Sequence, residues 1–585
     1  MTRSLNQQRY KILGGPGCGK TTEILQTIKK FFKEGIPPEQ LLMVGFAKAT
    51  VDNLKKRCID ELNFSSEESE SIKTIHKYCK DKLPVDAQCV FSSSAKKEFK
   101  NKIKTDPKNW TMLDDANYTA TTSEADMALW NEQEDKKIGT IFALIGHARH
   151  EMKKSIEEVL NFSDTTRHFQ YLRLLRSEIR YTYSNYIKFK EQNRVIDFED
   201  MLEKALKPDI EFPSYEVVMV DEAQDLSKLE WKVISKLGIK TKKLFLVGDD
   251  DQAIFGWKGS NPKIFRTWPC SKENKKFLEK TYRLPKKVYD LAQKIITQIP
   301  IKNRLGNKYN CDKEDGIVSS ISLLDELNSI INPDSEAFFM ARTTVKCRDF
   351  AIYLKERGII WKEKNKNVIN IGPFQSSFPK AVGEVIKSWD MLQKGMGIHG
   401  TYLAKLAEEL KPGLIKHGMK QVLTDRNLWP NEFTDKNITY TFKEIQEKFK
   451  VLADIKKEWN EVFYFTTKRK KTRRQPKALY EDDDDFNNYL KDAWNNDNTL
   501  EKANIYISTI HGLKGMESDN VILSNDWGIA CLRNYNSGLS SEEEEEIRCC
   551  YVGITRTKKA LHIYDPILQG KTNTFPLIGP TYGYI

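Results

Sequence analysis

Gly14, Gly15, Pro16, Gly17, Cys18, Gly19, Lys20, Thr21 and Thr22 are consecutive, and Gly14, Gly19, Lys20 and Thr21 fit G-x-x-x-x-G-K-[ST]. Glycines at this spacing let successive backbone N–H groups turn inward around a polyphosphate. A helix starting near Lys20 points the positive end of its dipole at the same place. Lys20 is then able to reach the β- and γ-phosphates, and the Thr21 hydroxyl suits Mg²⁺. A glycine-rich turn without a ligand is the bland alternative. The apolar Ile12 and Leu13 before the loop, and the helical spacing of Ile24, Leu25 and Ile28 after it, weigh against that alternative. The loop reads as a nucleoside triphosphate site.

Two carboxylates follow the apolar run Val217 to Val220. Such a run predicts a buried parallel strand, and Asp221 and Glu222 stand at its C-terminal end, where α/β sheets place ligands. Asp221 suits the Mg²⁺ shell, and Glu222 suits polarising an attacking water. Leu244 to Gly248 repeats the design and leads through three aspartates to Gln252. A neutral amide there is able to bond a γ-phosphate and release it after hydrolysis. Phe255, Trp257 and Lys258 interleave rings with a cation, which suits stacked bases beside a phosphate; an aromatic mini-core is the competing reading. Phe46 ends the expected strand Leu41 to Phe46 and is either a stacking ring or, more commonly, a core residue. Thr74 and His76 precede an amphipathic segment, where a histidine is ordinarily a cap or a surface residue. Arg556 closes Y-V-G-I-T-R near an expected helix end, suited to reach a γ-phosphate between domains.

These residues need several elements to position them, and 585 residues exceed what one core organises. The hydrophobic fraction is 39% and the charged fraction 30%, as in globular proteins, with no apolar run of about 20 residues to span a membrane. Ten cysteines stand without C-x-x-C pairs, which argues against a zinc or iron–sulfur set and fits a reducing, intracellular (cytoplasmic) setting. The formal charge of +12 is compatible with a polyanionic partner. Strands are expected at Ile317 to Ser320, Ala337 to Met340, Asn520 to Leu523 and Ala560 to Tyr564, with a helix from Ala47 to Cys58 and a long one from Asp164 to Gln192. The basic run Lys468 to Arg474 and the acidic run Asp482 to Asp485 read as solvated loops.

Taken together, V-D-E-A-Q-D at 220–225, G-D-D-D-Q-A-I at 248–254, T-Y-R at 281–283, T-I-H-G-L-K-G-M-E at 509–517 and Y-V-G-I-T-R at 551–556 resemble, in order, the motifs of the UvrD/Rep-like branch of superfamily 1 helicases. The resemblance implies an α/β fold: two RecA-like parallel-sheet domains with ATP between them, each carrying a mainly helical insert. The implied layout is 1–80 and 194–284 for the first domain around an insert at 81–193. The second domain takes 285–372 and 503–585 around an insert at 373–502. By motif, Tyr282 resembles the ring that stacks on adenine, Arg283 and Arg556 the two arginines on the γ-phosphate, and Glu517 the ribose contact. Phe46, Phe255, Trp257 and Lys258 would line single-stranded DNA, with Thr74, His76 and His511 near its backbone. K-G-M-G-I-H-G-T at 394–401 is similar to a turn that touches duplex DNA, and Leu568 to Phe575 is a candidate strand-separating pin.

Departures accompany the match. Only Gln7 and Gln8 precede the phosphate loop, nearer to it than the family's adenine-reading Gln. Thr22 stands where relatives often carry Arg, Phe255 where Tyr is common, and Lys258 where Arg is common. The function implied is an ATP- and Mg²⁺-dependent helicase moving 3′ to 5′ on single-stranded DNA and acting at single-strand/duplex junctions, with no membrane partner. Alternatives are a translocase that displaces proteins with little unwinding, and a DNA-binding scaffold with an inactive ATPase.

Overall fold

The computed structural model describes residues 8–84, 98–99, 133–165, 176–306, 309–329, 336–357, 359, 361, 382–416, 418–425, 428–429, 433, 435, 438–465, 484–485, 487–488, 504–538, 540–566 and 574–578. Six strands form the first sheet: β1 (Gln8–Gly14), β2 (Leu41–Gly45), β3 (Ile72–Thr74), β4 (Tyr215–Asp221), β5 (Thr241–Gly248) and β6 (Lys275–Leu278). They lie in the order β3-β2-β4-β5-β1-β6, every pair parallel. Both faces are covered, which is why β2, β4 and β5 are continuous apolar runs. Val217 and Met219 pack with Ile24, Ile28 and Leu54 from the helices Lys20–Lys33 and Lys48–Leu62. Val218 and Val220 turn the other way, onto Leu229, Val233 and Leu237 of the helix Lys228–Ile239. This alternation puts Asp221 at the open C-terminal edge.

The second sheet is parallel too. Its strands are β7 (Ile317–Ile321) and β8 (Ala337–Ala341), then, after a two-residue antiparallel ribbon of β9 (Ile398–His399) and β10 (Thr439–Tyr440), β11 (Ile505–Thr509), β12 (Ser518–Ser524) and β13 (Thr557–Tyr564). The order is β11-β8-β12-β13-β7. Phe338 and Met340 pack with Ile547 and Tyr551 of the helix Ser540–Ile554, in a core that also takes in Cys18, Ile254 and Phe255 from the first sheet's loops. Phe339 faces the opposite core, shared with Trp389, Leu403 and Phe449 of the second insert. The chain is therefore α/β, with two parallel sheets and, among the described residues, mainly helical segments between their strands.

Boundaries shift from expectation where packing overrides pattern. Val159 and Leu160 share a core with Ile179, a contact one straight helix cannot make across that separation. Of the expected helix from Asp164 to Gln192, the described residues belong to the helices Ile156–Thr165 and Arg176–Asn193, and 166–175 lie outside the described residues. The helix expected to close at Cys58 continues to Leu62, where Asn63 terminates it in the left-handed region at φ 59°. In the second insert, His399 caps the helix Gly400–Glu409. The basic run 468–474, residues 482–483 and most of the segment 568–575 lie outside the described residues. Among the described residues no helix is long and apolar enough to cross a membrane.

Candidate nucleotide and nucleic-acid site

β1 ends at Gly14 and the helix Lys20–Lys33 begins six residues on, with Gly19 at its N-cap at φ 81°. No side chain caps that end, so its first N–H groups face outward for an anion. Gly17, at φ 70°, has no room for a Cβ, which would collide with Cβ of Arg283. Lys20 bends over the loop, donating to the Gly14 carbonyl at 2.9 Å and the Gly15 carbonyl at 3.4 Å. Thr21 is half-buried and Thr22 exposed on the first helical turn. Cys18 packs beneath, its thiol pushed up to about 12 by burial, an inert residue rather than a nucleophile.

The T-Y-R segment is stitched to this loop. Thr281 Oγ1 donates to the Pro16 carbonyl at 2.8 Å, and the Tyr282 N–H donates to the Gly17 carbonyl at 2.9 Å. The Tyr282 ring is left 66% exposed beside Gly19, a platform for a flat base. Arg283 ion-pairs with Glu517 and donates to the Thr555 carbonyl at 3.3 Å, so it reaches the second sheet's motifs. Gln8 opens β1 at the end away from Gly14, where its Oε1 accepts from the Tyr10 hydroxyl at 2.6 Å; Gln7 lies outside the described residues.

At the end of β4, Asp221 is buried. Burial and then the neighbouring Glu222 push its carboxyl up to about 7. Glu222 sits in the left-handed region at φ 50°, a strained backbone for a residue with a side chain. Burial raises its carboxyl, but Lys514, Lys20, a Gln224 hydrogen bond and Arg556 outweigh that and hold it low. A paired carboxylate set of this kind would be stabilised by a divalent cation. Mg²⁺ fits Thr21 and Asp221, because it takes one or two protein oxygens and completes its shell with phosphate and water. No group of three or more metal-type side chains occurs among the described residues.

Gln252 joins the two sheets. Its Nε2 donates to Asp249 at 2.7 Å, and its Oε1 accepts from Arg556 Nη2 at 3.0 Å. Arg556 is 2% exposed and its guanidinium is lowered to about 9 by burial and then by Arg283, as expected of a cation held for an anion. Three residues here carried no signal of their own in the sequence. Gln224 donates to Glu222 and accepts from the Asp249 N–H at 3.0 Å. Lys514 donates to Asp225 and to the Gln252 carbonyl at 2.6 Å. Arg304 forks onto Asp251, with Nε to Oδ1 at 2.9 Å. Gln224 and Lys514 lie inside quoted motifs; Arg304 had no pattern to mark it.

Beyond Gln252 the rings gather as a stack with a cation on top. The Phe46 and Phe255 centroids are 5.3 Å apart, and Lys258 Nζ lies 4.8 Å from the Trp257 ring, 5.1 Å from Phe255 and 5.8 Å from Phe46. Trp257 is half-buried and Lys258 exposed, whereas Phe255 and His511 form the floor. His511 Nε2 donates to the Ile254 carbonyl at 2.9 Å, and burial drives its ring well below the usual range, so it is neutral. Thr74 caps the helix Ile75–Asp81 by accepting from the Lys77 N–H at 3.2 Å. His76, its ring lowered by burial, meets the exposed Phe198 edge-on at 5.6 Å. Thr74, Phe46 and the Trp257 loop all follow strand C-termini of the first sheet, so one edge collects them.

The sequence model of the UvrD/REP helicase N-terminal domain matches residues 2–270, the stretch from the phosphate loop to the aromatic stack. A probable DNA helicase II homolog of Mycoplasma genitalium is 23% identical, covering 96% of this chain and 83% of its own length. Its counterpart in Mycoplasma pneumoniae is 22% identical over 94% of this chain and 81% of its own. The ATP-dependent DNA helicase PcrA of Staphylococcus aureus is 24% identical, covering 49% of this chain and 37% of its own length. The Mycoplasma similarity extends through the second sheet, where Glu517 and Arg556 are turned toward the phosphate loop. Residues 2–270 are thus similar to the UvrD/REP helicase N-terminal domain, and most of the chain is similar to proteins described as probable DNA helicase II homologs.

Proposed function

We propose that this protein hydrolyses ATP to move 3′ to 5′ along single-stranded DNA and to unwind duplex at single-strand junctions. The observation that carries the reading is the Arg556–Gln252 hydrogen bond. It brings an arginine of the second sheet onto the amide that follows the first sheet's acidic loop, so one γ-phosphate would be contacted from both sides. In this reading Lys20 and the loop 14–19 bind the phosphates, Tyr282 stacks on the base, Glu517 contacts the ribose, and Arg283 and Arg556 neutralise charge developing on the γ-phosphate. Glu222, held ionised by Lys514 and Lys20, accepts the proton of the attacking water. Mg²⁺ held by Thr21 and Asp221 would supply further charge neutralisation on the phosphates.

Closure of the cleft is transmitted through the loop 249–258, which runs unbroken from Gln252 to the rings. Trp257 and Lys258 stack and neutralise the strand over the floor of Phe255 and His511, with Phe46, Thr74 and His76 along the same edge. The division into 1–80 and 194–284, 285–372 and 503–585, with inserts between, follows from the same reading. The test is ATP hydrolysis with and without oligo(dT): strong stimulation is expected, and turnover indifferent to DNA contradicts the reading in favour of a scaffold.

A further inference from the structure

The second sheet's motifs hold the loop 250–257 by its backbone at nearly every other residue. Arg548 Nε donates to the Asp250 carbonyl at 3.1 Å, Lys514 Nζ to the Gln252 carbonyl at 2.6 Å, and His511 Nε2 to the Ile254 carbonyl at 2.9 Å. At the far end of the loop the Glu545 carboxylate lies against the backbone of Gly256, with the Gly256 and Trp257 N–H groups facing it. The fit is close enough that a Cβ on Gly256 would collide with a Glu545 oxygen. Glu545 lies on the helix Ser540–Ile554, and two residues beyond that helix's end Arg556 turns back to Gln252. Its neighbours are engaged elsewhere. Glu544 pairs with Arg548 and Asn303, and Glu546 accepts from Arg342 at 2.7 and 2.9 Å and from the Trp527 indole at 2.9 Å. Of these three consecutive glutamates, Glu545 is the one turned to the aromatic loop.

We propose that Glu545 is a positioning residue for coupling: from the helix that delivers Arg556 to Gln252, it fixes the Gly256–Trp257 backbone so that the base-stacking ring moves with the γ-phosphate contact. The inference rests on the proposed ATP-driven motor and deepens it. A helix transmits displacement along its axis with little loss, and about nine residues separate Glu545 from the helix end, a lever of roughly 14 Å. A carboxylate set against two adjacent backbone N–H groups constrains both the height and the tilt of the Trp257 backbone. Burial, reinforced by Glu546, pushes the Glu545 carboxyl up to about 7. Either protonation state leaves an oxygen to accept the two N–H groups.

The experiment compares the wild type with Glu545→Ala, Glu545→Gln and Gly256→Ala, measuring basal ATPase, ATPase at saturating oligo(dT), the half-stimulating oligo(dT) concentration and the melting temperature. Glu545→Ala is expected to keep basal turnover and melting temperature while its stimulated-to-basal ratio falls about tenfold, the factor for losing a hydrogen bond to a charged group. Glu545→Gln, whose amide oxygen still accepts, is expected to recover most of that ratio. Gly256→Ala is expected to lose stimulation as Glu545→Ala does, and combining the two is expected to cost less than the sum, because they break one contact. An unchanged ratio in Glu545→Ala overturns the inference, as does Glu545→Gln failing as badly as Ala, or a fall in every activity together with melting temperature. A wild type that DNA does not stimulate overturns the proposed function as well, which separates the two failures.

Discussion

In the proposed reading Lys20, Asp221, Glu222, Gln252, Arg283 and Arg556 would divide the handling of one phosphate, and their surroundings suit each to a different task. The Lys20 ammonium is the loop's own positive charge, already bent over the Gly14 and Gly15 carbonyls. Lys20→Ala is expected to abolish ATP hydrolysis while single-stranded DNA binding persists, since the stacking rings lie elsewhere; near-normal turnover in this variant contradicts the site. Glu222→Gln is expected to bind nucleotide yet turn over roughly 10²-fold or more slowly, the effect of removing a general base. Asp221→Asn is expected instead to raise the Mg²⁺ concentration needed for half-maximal turnover. Equal loss of nucleotide affinity in both, with turnover in proportion, contradicts that division. These residues stand out as candidates in the sequence because each sits at a fixed offset from a glycine or an apolar run. Gln224 was less legible: its role depends on reaching both Glu222 and the Asp249 N–H, and residue types do not announce pairs. Arg304, which pairs with Asp251 from a separate segment, was invisible for the same reason.

The loop 249–258 is the element on which the motor reading turns. Its aromatic half was ambiguous in the sequence, and in the structure its residues differ in exposure: Phe255 is buried, Trp257 is half-buried and Lys258 is at the surface. Trp257→Ala is expected to weaken single-stranded DNA binding by about one to two decades, from the 1–3 kcal/mol that base stacking supplies, and to lose unwinding even at saturating DNA. A plain core role predicts a lower melting temperature and a proportional fall in every activity. A contrasting structural element is the Arg342–Glu546 pair, buried at the end of β8. Glu546→Ala strands the guanidinium and is expected to cost roughly 3–5 kcal/mol, read as a lower denaturant midpoint at unchanged slope. An unchanged midpoint shows that water compensates the arginine. Strands were the most legible elements because burial on both faces forces apolar runs. The helices Ile156–Thr165 and Arg176–Asn193 were less so, because amphipathic spacing does not show that Leu160 and Ile179 share one core.

At the scale of the molecule, two parallel sheets present the C-terminal ends of their strands and the loops beyond them to one cleft, and a shared core of Cys18, Ile254, Phe255, Phe338 and Ile547 runs between them. A motor of this kind works by opening and closing such a cleft, so the interface is expected to respond to nucleotide. The order of motifs along the chain made the two-sheet plan readable. The network that joins the sheets was not readable, because its partners are hundreds of residues apart, as for Arg556 with Gln252 and Lys514 with Asp225. The most direct test of the central claim is unwinding of a duplex carrying a 3′ single-stranded tail beside one carrying a 5′ tail, with ATP hydrolysis followed in parallel. The account predicts ATP-dependent unwinding of the 3′-tailed duplex, little of the 5′-tailed one, and hydrolysis stimulated by both tails. Preferential unwinding of the 5′-tailed duplex, or stimulated hydrolysis with no strand separation from either, contradicts it.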